Sequence, residues 1–200
     1  MSQNEVSNSK RKFLIAATTA VGGVATAATA FPFLACWSPS QRAKAAGAPV
    51  EVDISKIEPG TMINVAWRGK PVWILNRSKE QMDLLSKHDN KLTDPNSEVA
   101  QQPDYCKNAT RSRQEHPNVL VAVGVCTHLG CSPSQKLKAG SSDGMVEDWP
   151  GGFFCPCHGS RFDLAARVLQ GSPAPMNLLI PPHKYLSDNV ILVGDDSKGA

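Results

Sequence analysis

Two short stretches, CTHLGC at residues 126–131 and CPCHGS at residues 155–160, each combine cysteine, histidine and glycine. Four of the six cysteines and two of the five histidines of the chain lie in these stretches. Thiolates and imidazoles are metal ligands, and glycine allows the tight turns that would aim them at one centre. The two stretches therefore predict a metal centre held between two loops.

One cysteine and one histidine from each stretch are the candidate ligands: Cys126, His128, Cys155 and His158. Two thiolates and two imidazoles suit a tetrahedral zinc ion. They also suit a 2Fe–2S cluster in which one iron has two cysteine ligands and the other has two histidine ligands. The ligand types alone leave both centres open.

The other two cysteines of these stretches, Cys131 and Cys157, could bridge the two loops in an oxidising compartment. A structural zinc site rarely needs a disulfide between its loops in addition to the metal. An electron-transfer centre near the surface gains from one, because its short loops have no core of their own. The extra thiols therefore favour the electron-transfer centre.

Short strand-like runs surround the two stretches. Residues 61–69 and 71–78 predict a hairpin, residues 118–125 predict a buried strand that ends at the first stretch, and residues 151–155 predict a strand that enters the second. Residues 189–194 predict a closing strand. Several short strands separated by turn residues predict a small all-β domain of antiparallel strands.

The segment 86–118 is polar and contains three prolines. We interpret it as a long loop that is either a solvated insertion or a contact surface for partner subunits. Cys106 within it is interpreted as an incidental thiol. The histidines outside the two cysteine-rich stretches are interpreted as ordinary surface or loop residues: His88, His116 and His183.

Residues 13–37 contain no charged side chain, and about 20 apolar residues suffice to cross a bilayer as a helix. Pro32 would kink this helix or mark its exit. The basic residues 10–12 precede it, so the N-terminus is expected in the cytoplasm and the remainder on the other side. A buried core helix and a cleaved signal peptide, with AKA at residues 43–45 as the cleavage site, are the alternatives to this anchor.

The net charge of +3 is small, and its excess lies near the N-terminus. The charged residues before residue 50 are Lys10, Arg11, Lys12, Arg42 and Lys44, against Glu5. The remainder of the chain is close to neutral, which argues against nucleic acid as a partner. Residues 38–49 are rich in small residues and prolines and predict a flexible tether. The predicted organisation is an export-signal region (1–12), an anchor (13–37), a tether (38–49) and a β domain (50–200).

The sequence SKRKFLI at residues 9–15 resembles a twin-arginine export signal, with Lys10 in place of the first arginine. The paired stretches CTHLGC and CPCHGS resemble those of the Rieske iron–sulfur subunits of bacterial ubiquinol–cytochrome c reductases, the respiratory cytochrome bc complexes. The resemblance covers essentially the whole chain. It implies a Rieske-type β domain with a cluster-binding subdomain and one 2Fe–2S cluster.

The resemblance also implies roles for single residues. Cys126 and Cys155 would bind the buried iron, and His128 and His158 would bind the outer iron. The disulfide would join Cys131 to Cys157.

Three further positions follow from the same resemblance. Leu129 would cover the cluster and face a quinone pocket, and Ser160 would donate its hydroxyl to a cluster sulfur. The sequence GSPAP at residues 171–175 resembles the family's proline loop, with Ser172 between the usual glycine and proline. Phe162 stands where many relatives have a tyrosine that donates a hydrogen bond to a ligand sulfur, which predicts a lower midpoint potential.

By this resemblance the chain takes an electron from ubiquinol, coupled to proton release, and passes it to a cytochrome c-type haem. His158 and His128 are the expected catalytic residues. A cytochrome b subunit and a cytochrome c-type subunit are the expected partners, in a dimeric complex of the bacterial inner membrane with the β domain in the periplasm. The alternatives are the Rieske small subunit of another oxidoreductase, such as arsenite oxidase or an oxygenase component, and a zinc-bound structural domain.

Overall fold

The computed structural model describes residues 8–141 and 144–197. The chain divides into two compact units, Met1–Ala45 and Ala46–Ala200. Residues 1–7 of the predicted export-signal region and residues 198–200 of the predicted β domain lie outside the described residues.

The first unit contains one long apolar helix, α1 (Asn8–Ala35), which continues past Pro32. In the described part of the chain this helix has the length and composition to cross a membrane, and none of its residues is buried. Three of its threonine hydroxyls donate to backbone carbonyls of the preceding turn: Thr18 to Leu14, Thr26 to Gly22, and Thr29 to Ala25. These three hydroxyls are thus satisfied within the helix, as a lipid environment requires.

Between α1 and the first strand lies a short helix, α2 (Gln41–Ala46), which has no buried residue. The Ser40 hydroxyl accepts a hydrogen bond of 3.2 Å from the Ala43 amide, as an N-cap residue does. The predicted tether therefore includes one turn of exposed helix.

The second unit is a β domain built from short strands. The strands are β1 (Val50–Asp53), β2 (Thr61–Trp67), β3 (Lys70–Asn76), β4 (Val119–Val123), β5 (Ser134–Lys136), β6 (Gly152–Phe154), β7 (Arg161–Asp163), β8 (His183–Ser187) and β9 (Val190–Val193). In the described residues they form antiparallel sheets in the orders β1-β9-β8, β2-β3-β4 and β5-β6-β7. The predicted all-β fold is confirmed, with β2 and β3 as the predicted hairpin.

The core of the domain packs against strands of both sheets that lead into the two cysteine-rich stretches. Every residue of β4 is buried, as its unbroken apolar run predicts. Trp73 of β3 stacks on Phe153 of β6 with ring centroids 4.4 Å apart. A side chain at Gly124 would clash with the Trp73 ring, so only glycine fits where β4 leads into the first stretch.

Helix α3 (Lys79–Leu85) begins at Ser78 with a capping box in which Ser78 and Gln81 exchange hydrogen bonds. It leads into a 3₁₀ helix over Ser86–Lys91, and a second 3₁₀ turn spans Asp104–Cys106.

The segment 86–118 is not a solvated insertion, because it places several buried side chains inside the domain. These are Leu92, Ser97, Cys106, Arg111, Ser112 and Arg113. The interpretation of His183 as a surface or loop residue is also wrong. It lies in β8, is fully buried, and its ring meets the Tyr105 ring edge to face at 5.7 Å.

Candidate metal centre

The two cysteine-rich stretches form a pair of loops with the same backbone pattern, which we call the first cluster loop (126–131) and the second cluster loop (155–160). In the first, the Cys126 amide donates to the Cys131 carbonyl at 2.7 Å and the Gly130 amide donates to the Cys126 carbonyl at 3.0 Å. In the second, the Cys155 amide donates to the Ser160 carbonyl at 2.8 Å. The two loops are therefore close copies of one turn.

The fifth residue of each loop is a glycine in the left-handed region. The φ angles are +82° at Gly130 and +77° at Gly159. The Gly159 amide donates to the Cys155 carbonyl at 2.9 Å, which is the counterpart of the Gly130 bond. A side chain at either position would strain the backbone, so glycine allows each loop to close.

The two loops place their thiols inward and their imidazoles outward. Cys126 and Cys155 each expose only 2% of their surface. The His158 side chain is exposed and the His128 side chain is half-buried. The rings of His128 and His158 lie edge to face, with centroids 4.8 Å apart. The predicted ligands are thus brought together with a buried sulfur side and an open nitrogen side.

The environment of Cys126 combines opposing effects on its thiol. Burial raises the pKa of Cys126. Hydrogen bonds with the His128 backbone and the Ser160 hydroxyl act in the other direction, and the adjacent Cys155 thiol raises the pKa again. Both hydrogen bonds would stabilise negative charge on the sulfur.

Cys131 and Cys157 form a disulfide that joins the two cluster loops. Their sulfurs and that of Cys155 all lie within 4.8 Å of one another. The disulfide removes Cys131 and Cys157 as thiolate ligands, so of these three only Cys155 has a free thiol to offer a metal. The predicted pairing is confirmed.

Leu129 is the most solvent-exposed large hydrophobic residue of the cluster loops, with 71% of its surface accessible. It follows His128 directly and extends the open side of the site with an apolar side chain. An exposed leucine beside two accessible imidazoles is suited to contact with an apolar partner.

The proline loop, residues 171–175, is hydrogen-bonded to the second cluster loop and to the first residue of β7. The Ala174 amide donates to the Ser160 hydroxyl at 3.0 Å, and the Arg161 amide donates to the Ser172 hydroxyl at 3.1 Å. Just beyond the loop, the Thr127 hydroxyl donates to the Met176 carbonyl at 2.7 Å.

Thr127 was not singled out from the sequence. The sequence shows a hydroxyl side chain between Cys126 and His128, but it does not show the hydrogen-bond partner of this hydroxyl. That partner is a carbonyl 49 residues away along the chain. Only the folded structure shows that Thr127 links the first cluster loop to Met176, the residue just after the proline loop.

The side chains at this site fit a 2Fe–2S cluster with mixed ligands. Two buried thiols lie next to one another, and two imidazoles lie on the outer side. This is the donor set that gives one iron two cysteines and the other two histidines.

Family models match two regions of the chain. Residues 96–182 match the "Rieske [2Fe-2S] domain", which includes both cluster loops and the proline loop. Residues 1–40 match the "Ubiquitinol-cytochrome C reductase Fe-S subunit TAT signal".

Known proteins resemble this chain over nearly its whole length. The ubiquinol-cytochrome c reductase iron-sulfur subunit of Allochromatium vinosum is 57% identical over 200 residues, which is 100% of this chain and 95% of the relative. The protein of the same name from Bradyrhizobium diazoefficiens is 42% identical over 92% of this chain and 94% of its own length. A chain from the solved structure "Hyperthermophilic respiratory Complex III" is 30% identical, with a TM-score of 0.47 over 90% of this chain and 98% of that chain.

Proposed function

Since this chain belongs to the family of ubiquinol–cytochrome c reductase iron–sulfur subunits, we propose that its cluster loops hold the redox centre that ubiquinol reduces. The chain is an electron-transfer subunit with one Rieske-type 2Fe–2S cluster. A zinc-bound structural domain and the small subunit of another oxidoreductase are not favoured.

Four side chains are proposed as the cluster ligands: Cys126, Cys155, His128 and His158. The cysteines would hold the inner iron, because their sulfurs are buried. The histidines would hold the outer iron, because their rings lie on the open side. The cluster supplies one-electron redox chemistry when it is bound, and histidine ligation gives it a higher potential than clusters ligated by cysteine alone.

The imidazoles are proposed to move the proton. Each ring has a second nitrogen besides the one that would bind iron, and His158 exposes its ring to solvent. His158 would accept the hydrogen bond from the quinol hydroxyl and then hold its proton, with the half-buried His128 as the second imidazole of the site. Leu129 would exclude water from this contact and pack against the quinol pocket.

The remaining parts of the function concern the complex. We propose cytochrome b and cytochrome c-type subunits as the direct partners in a dimeric complex. One apolar helix offers an anchor but cannot enclose a quinone site, so a second subunit must form that site. Residues 10–12 are basic and precede the apolar helix, which supports an N-terminus in the cytoplasm and a β domain in the periplasm.

We also propose a role for each of four consecutive segments of the chain. Residues 1–12 would be the export-signal region, 13–37 the anchor, 38–49 the tether and 50–200 the cluster domain. The tether would let the domain move between the quinol pocket and the haem. Its only described helix is one short, fully exposed element, α2, which leaves room for such movement.

The observation that carries the proposal is the pair of accessible imidazoles above two buried thiols. A proton-coupled centre has a midpoint potential that falls by about 59 mV per pH unit above the pKa of the oxidised form. The test is a redox titration of the full chain between pH 6 and pH 10, together with reduction by a short-chain ubiquinol followed by electron paramagnetic resonance (EPR). A potential that does not change with pH, or a cluster that ubiquinol cannot reduce, would contradict the proposed role.

A further inference from the structure

Arg111, from the polar segment 86–118, lies fully inside the domain with 0% of its surface exposed. Its guanidinium donates to the Leu178 carbonyl at 2.6 Å and to the Ala166 carbonyl at 3.0 Å. It also donates to the Gln102 side-chain oxygen at 3.0 Å. One side chain thus joins the segments around Gln102, Ala166 and Leu178, and the last two are 55 and 67 residues away from Arg111.

Two of these segments lead directly to the metal centre. Ala166 follows β7, which starts immediately after the second cluster loop. Leu178 follows the proline loop, and its amide donates to the Ala166 carbonyl at 3.0 Å. Arg111 therefore binds both carbonyls at the point where the proline loop returns to the strand from the second cluster loop.

Gln101 supports the same region from the polar segment. Its side-chain amide lies 3.5 Å from the Met176 sulfur, and its carbonyl accepts a hydrogen bond of 2.8 Å from the Ile180 amide. Met176 is also the residue whose carbonyl accepts from the Thr127 hydroxyl. A continuous set of contacts runs from Gln101 through Met176 to the first cluster loop.

Two features of Arg111 are energetically unfavourable. Its φ of 51° lies in the left-handed region, which a residue with a side chain rarely adopts. Among the described residues its Nε atom is buried and has no hydrogen-bond partner. An unpaired buried donor loses its hydrogen bond to water on folding and gains none in return. Unfavourable features that persist at one residue are typical of positions with a functional constraint.

We propose that Arg111, assisted by Gln101, is a positioning residue that holds the proline loop and the residues just after it against the cluster loops and thereby sets the environment of the metal centre. This inference rests on the proposed function, because it assigns a role toward the cluster. Lysine at this position supplies one ammonium group in place of a planar guanidinium, and a buried lysine loses its proton more readily than arginine. Arg77→Lys makes the same change at a second buried position, so a shift seen only in Arg111→Lys reports the lost contacts of Arg111.

Arg77 is the matched control. It is also buried, with 2% of its surface exposed, and it donates to the Pro117 carbonyl at 2.6 Å and the Thr110 carbonyl at 2.9 Å. Within the described residues its hydrogen-bond partners all lie outside residues 171–180. Arg77 contacts Thr110 and Ser112 on either side of Arg111 but, in the described part of the chain, shares no partner with it, so Arg77→Lys should weaken the fold without removing the direct contacts of Arg111.

The experiment compares the full-length wild type, Arg111→Lys, Arg77→Lys and Gln101→Ala in their membrane complex. The readouts are the EPR spectrum of the reduced cluster, its midpoint potential and the rate of iron loss to a chelator. We expect Arg111→Lys to shift the spectrum and the potential and to lose iron roughly tenfold faster, which is the scale for residues that support metal ligands. Gln101→Ala should shift the same readouts in the same direction by less.

Arg77→Lys should lower the unfolding temperature and keep the wild-type spectrum and potential. The inference is overturned if Arg111→Lys matches the wild type in all three readouts, or if Arg77→Lys shifts them equally. If Arg111→Lys does not accumulate, Gln101→Ala decides, and a wild-type result overturns the inference. A wild type without a cluster signal would instead contradict the proposed function itself.

Discussion

The backbone amide of Ala174 donates a hydrogen bond of 3.0 Å to the hydroxyl oxygen of Ser160, which joins the proline loop to the second cluster loop. Ser160 is fully buried, and its hydroxyl also interacts with the Cys126 thiol. The same hydroxyl can therefore accept from the proline loop and donate to a ligand sulfur. The Ser160 side chain therefore links the position of the proline loop to the electrostatic environment of the Cys126 sulfur.

We expect Ser160→Ala to lower both the midpoint potential and the stability. Losing a hydrogen bond to sulfur destabilises the more negative reduced centre, and about 1.4 kcal/mol of differential binding corresponds to about 59 mV for one electron. The Ala174 amide would lose its acceptor, at about 1–3 kcal/mol of unfolding free energy. Redox titration and thermal unfolding measure the two effects.

Ser172→Ala is the control for this prediction. The Ser172 hydroxyl also fixes the proline loop, because it accepts from the Arg161 amide at 3.1 Å. Ser172→Ala should lower stability and change the potential much less. Equal shifts in potential for the two variants would mean that Ser160 acts only through the proline loop.

Phe162→Tyr should raise the midpoint potential. Phe162 is fully buried in β7, two residues after Ser160, and its ring has no donor for a ligand sulfur. A tyrosine hydroxyl that donates to the sulfur would stabilise the reduced centre by several tens of millivolts, since about 1 kcal/mol is typical for one hydrogen bond. A redox titration that finds no upward shift in the folded variant would count against this interpretation.

Leu129→Ala should slow quinol oxidation and leave the fold intact. Leu129 exposes 71% of its surface, so its removal should change the unfolding free energy by less than about 0.5 kcal/mol. Lost apolar contact with the quinol pocket, of about 1–2 kcal/mol, corresponds to roughly tenfold in kcat/KM. Steady-state assays with ubiquinol and cytochrome c measure this loss.

Leu186 in β8 provides the comparison, because it is also exposed but belongs to the sheet β1-β9-β8 and not to a cluster loop. Leu186→Ala should retain wild-type kinetics. If the two leucine variants behave alike, Leu129 has no special contact with the quinol pocket.

Sequence reasoning predicted the parts of this molecule whose signals are local. The hairpin β2–β3, the buried strand β4 and both cluster loops each carry their pattern within a few consecutive residues. The candidate ligands followed from residue type and spacing, and the disulfide followed from a family resemblance. The structure places His128 against His158 and Cys126 against Cys155, and it joins Cys131 to Cys157.

The segment 86–118 could not be predicted in this way, because its contacts are distant in the sequence. Arginine is almost never fully buried unless it is paired, so a polar stretch containing Arg111 suggests a solvated loop. Its partners, the Ala166 and Leu178 carbonyls, are 55 and 67 residues away. Backbone carbonyls leave no mark in a sequence pattern, and only the fold brings them to one guanidinium.

The buried ring of His183 should make stability depend on pH. Burial lowers the pKa of His183 to about 4, although the hydrogen bond between Nδ1 and the Pro181 carbonyl opposes this shift. The unfolded chain binds a proton near pH 6.5 and the folded chain only near pH 4. The stability is therefore complete above pH 6.5 and falls by about 3 kcal/mol as the pH drops toward 4.

Chemical denaturation of the full chain in detergent at several pH values checks this dependence. His183→Gln removes the titrating imidazole. It retains the backbone carbonyl at position 183, which accepts hydrogen bonds from Arg113 and Tyr105. The variant should be less stable at pH 7.5 and should lose less stability on acidification. A wild type and a variant with parallel pH profiles would show that His183 is not the source.

The EPR spectrum and iron content of the reduced full-length protein, with and without its two imidazoles, test the central claim most directly. The account predicts two iron atoms per chain and a mixed-ligand 2Fe–2S signal in the wild type. That signal should be lost in His128→Ala and in His158→Ala. A wild type without iron, or an unchanged signal after both imidazoles are replaced, would contradict the account.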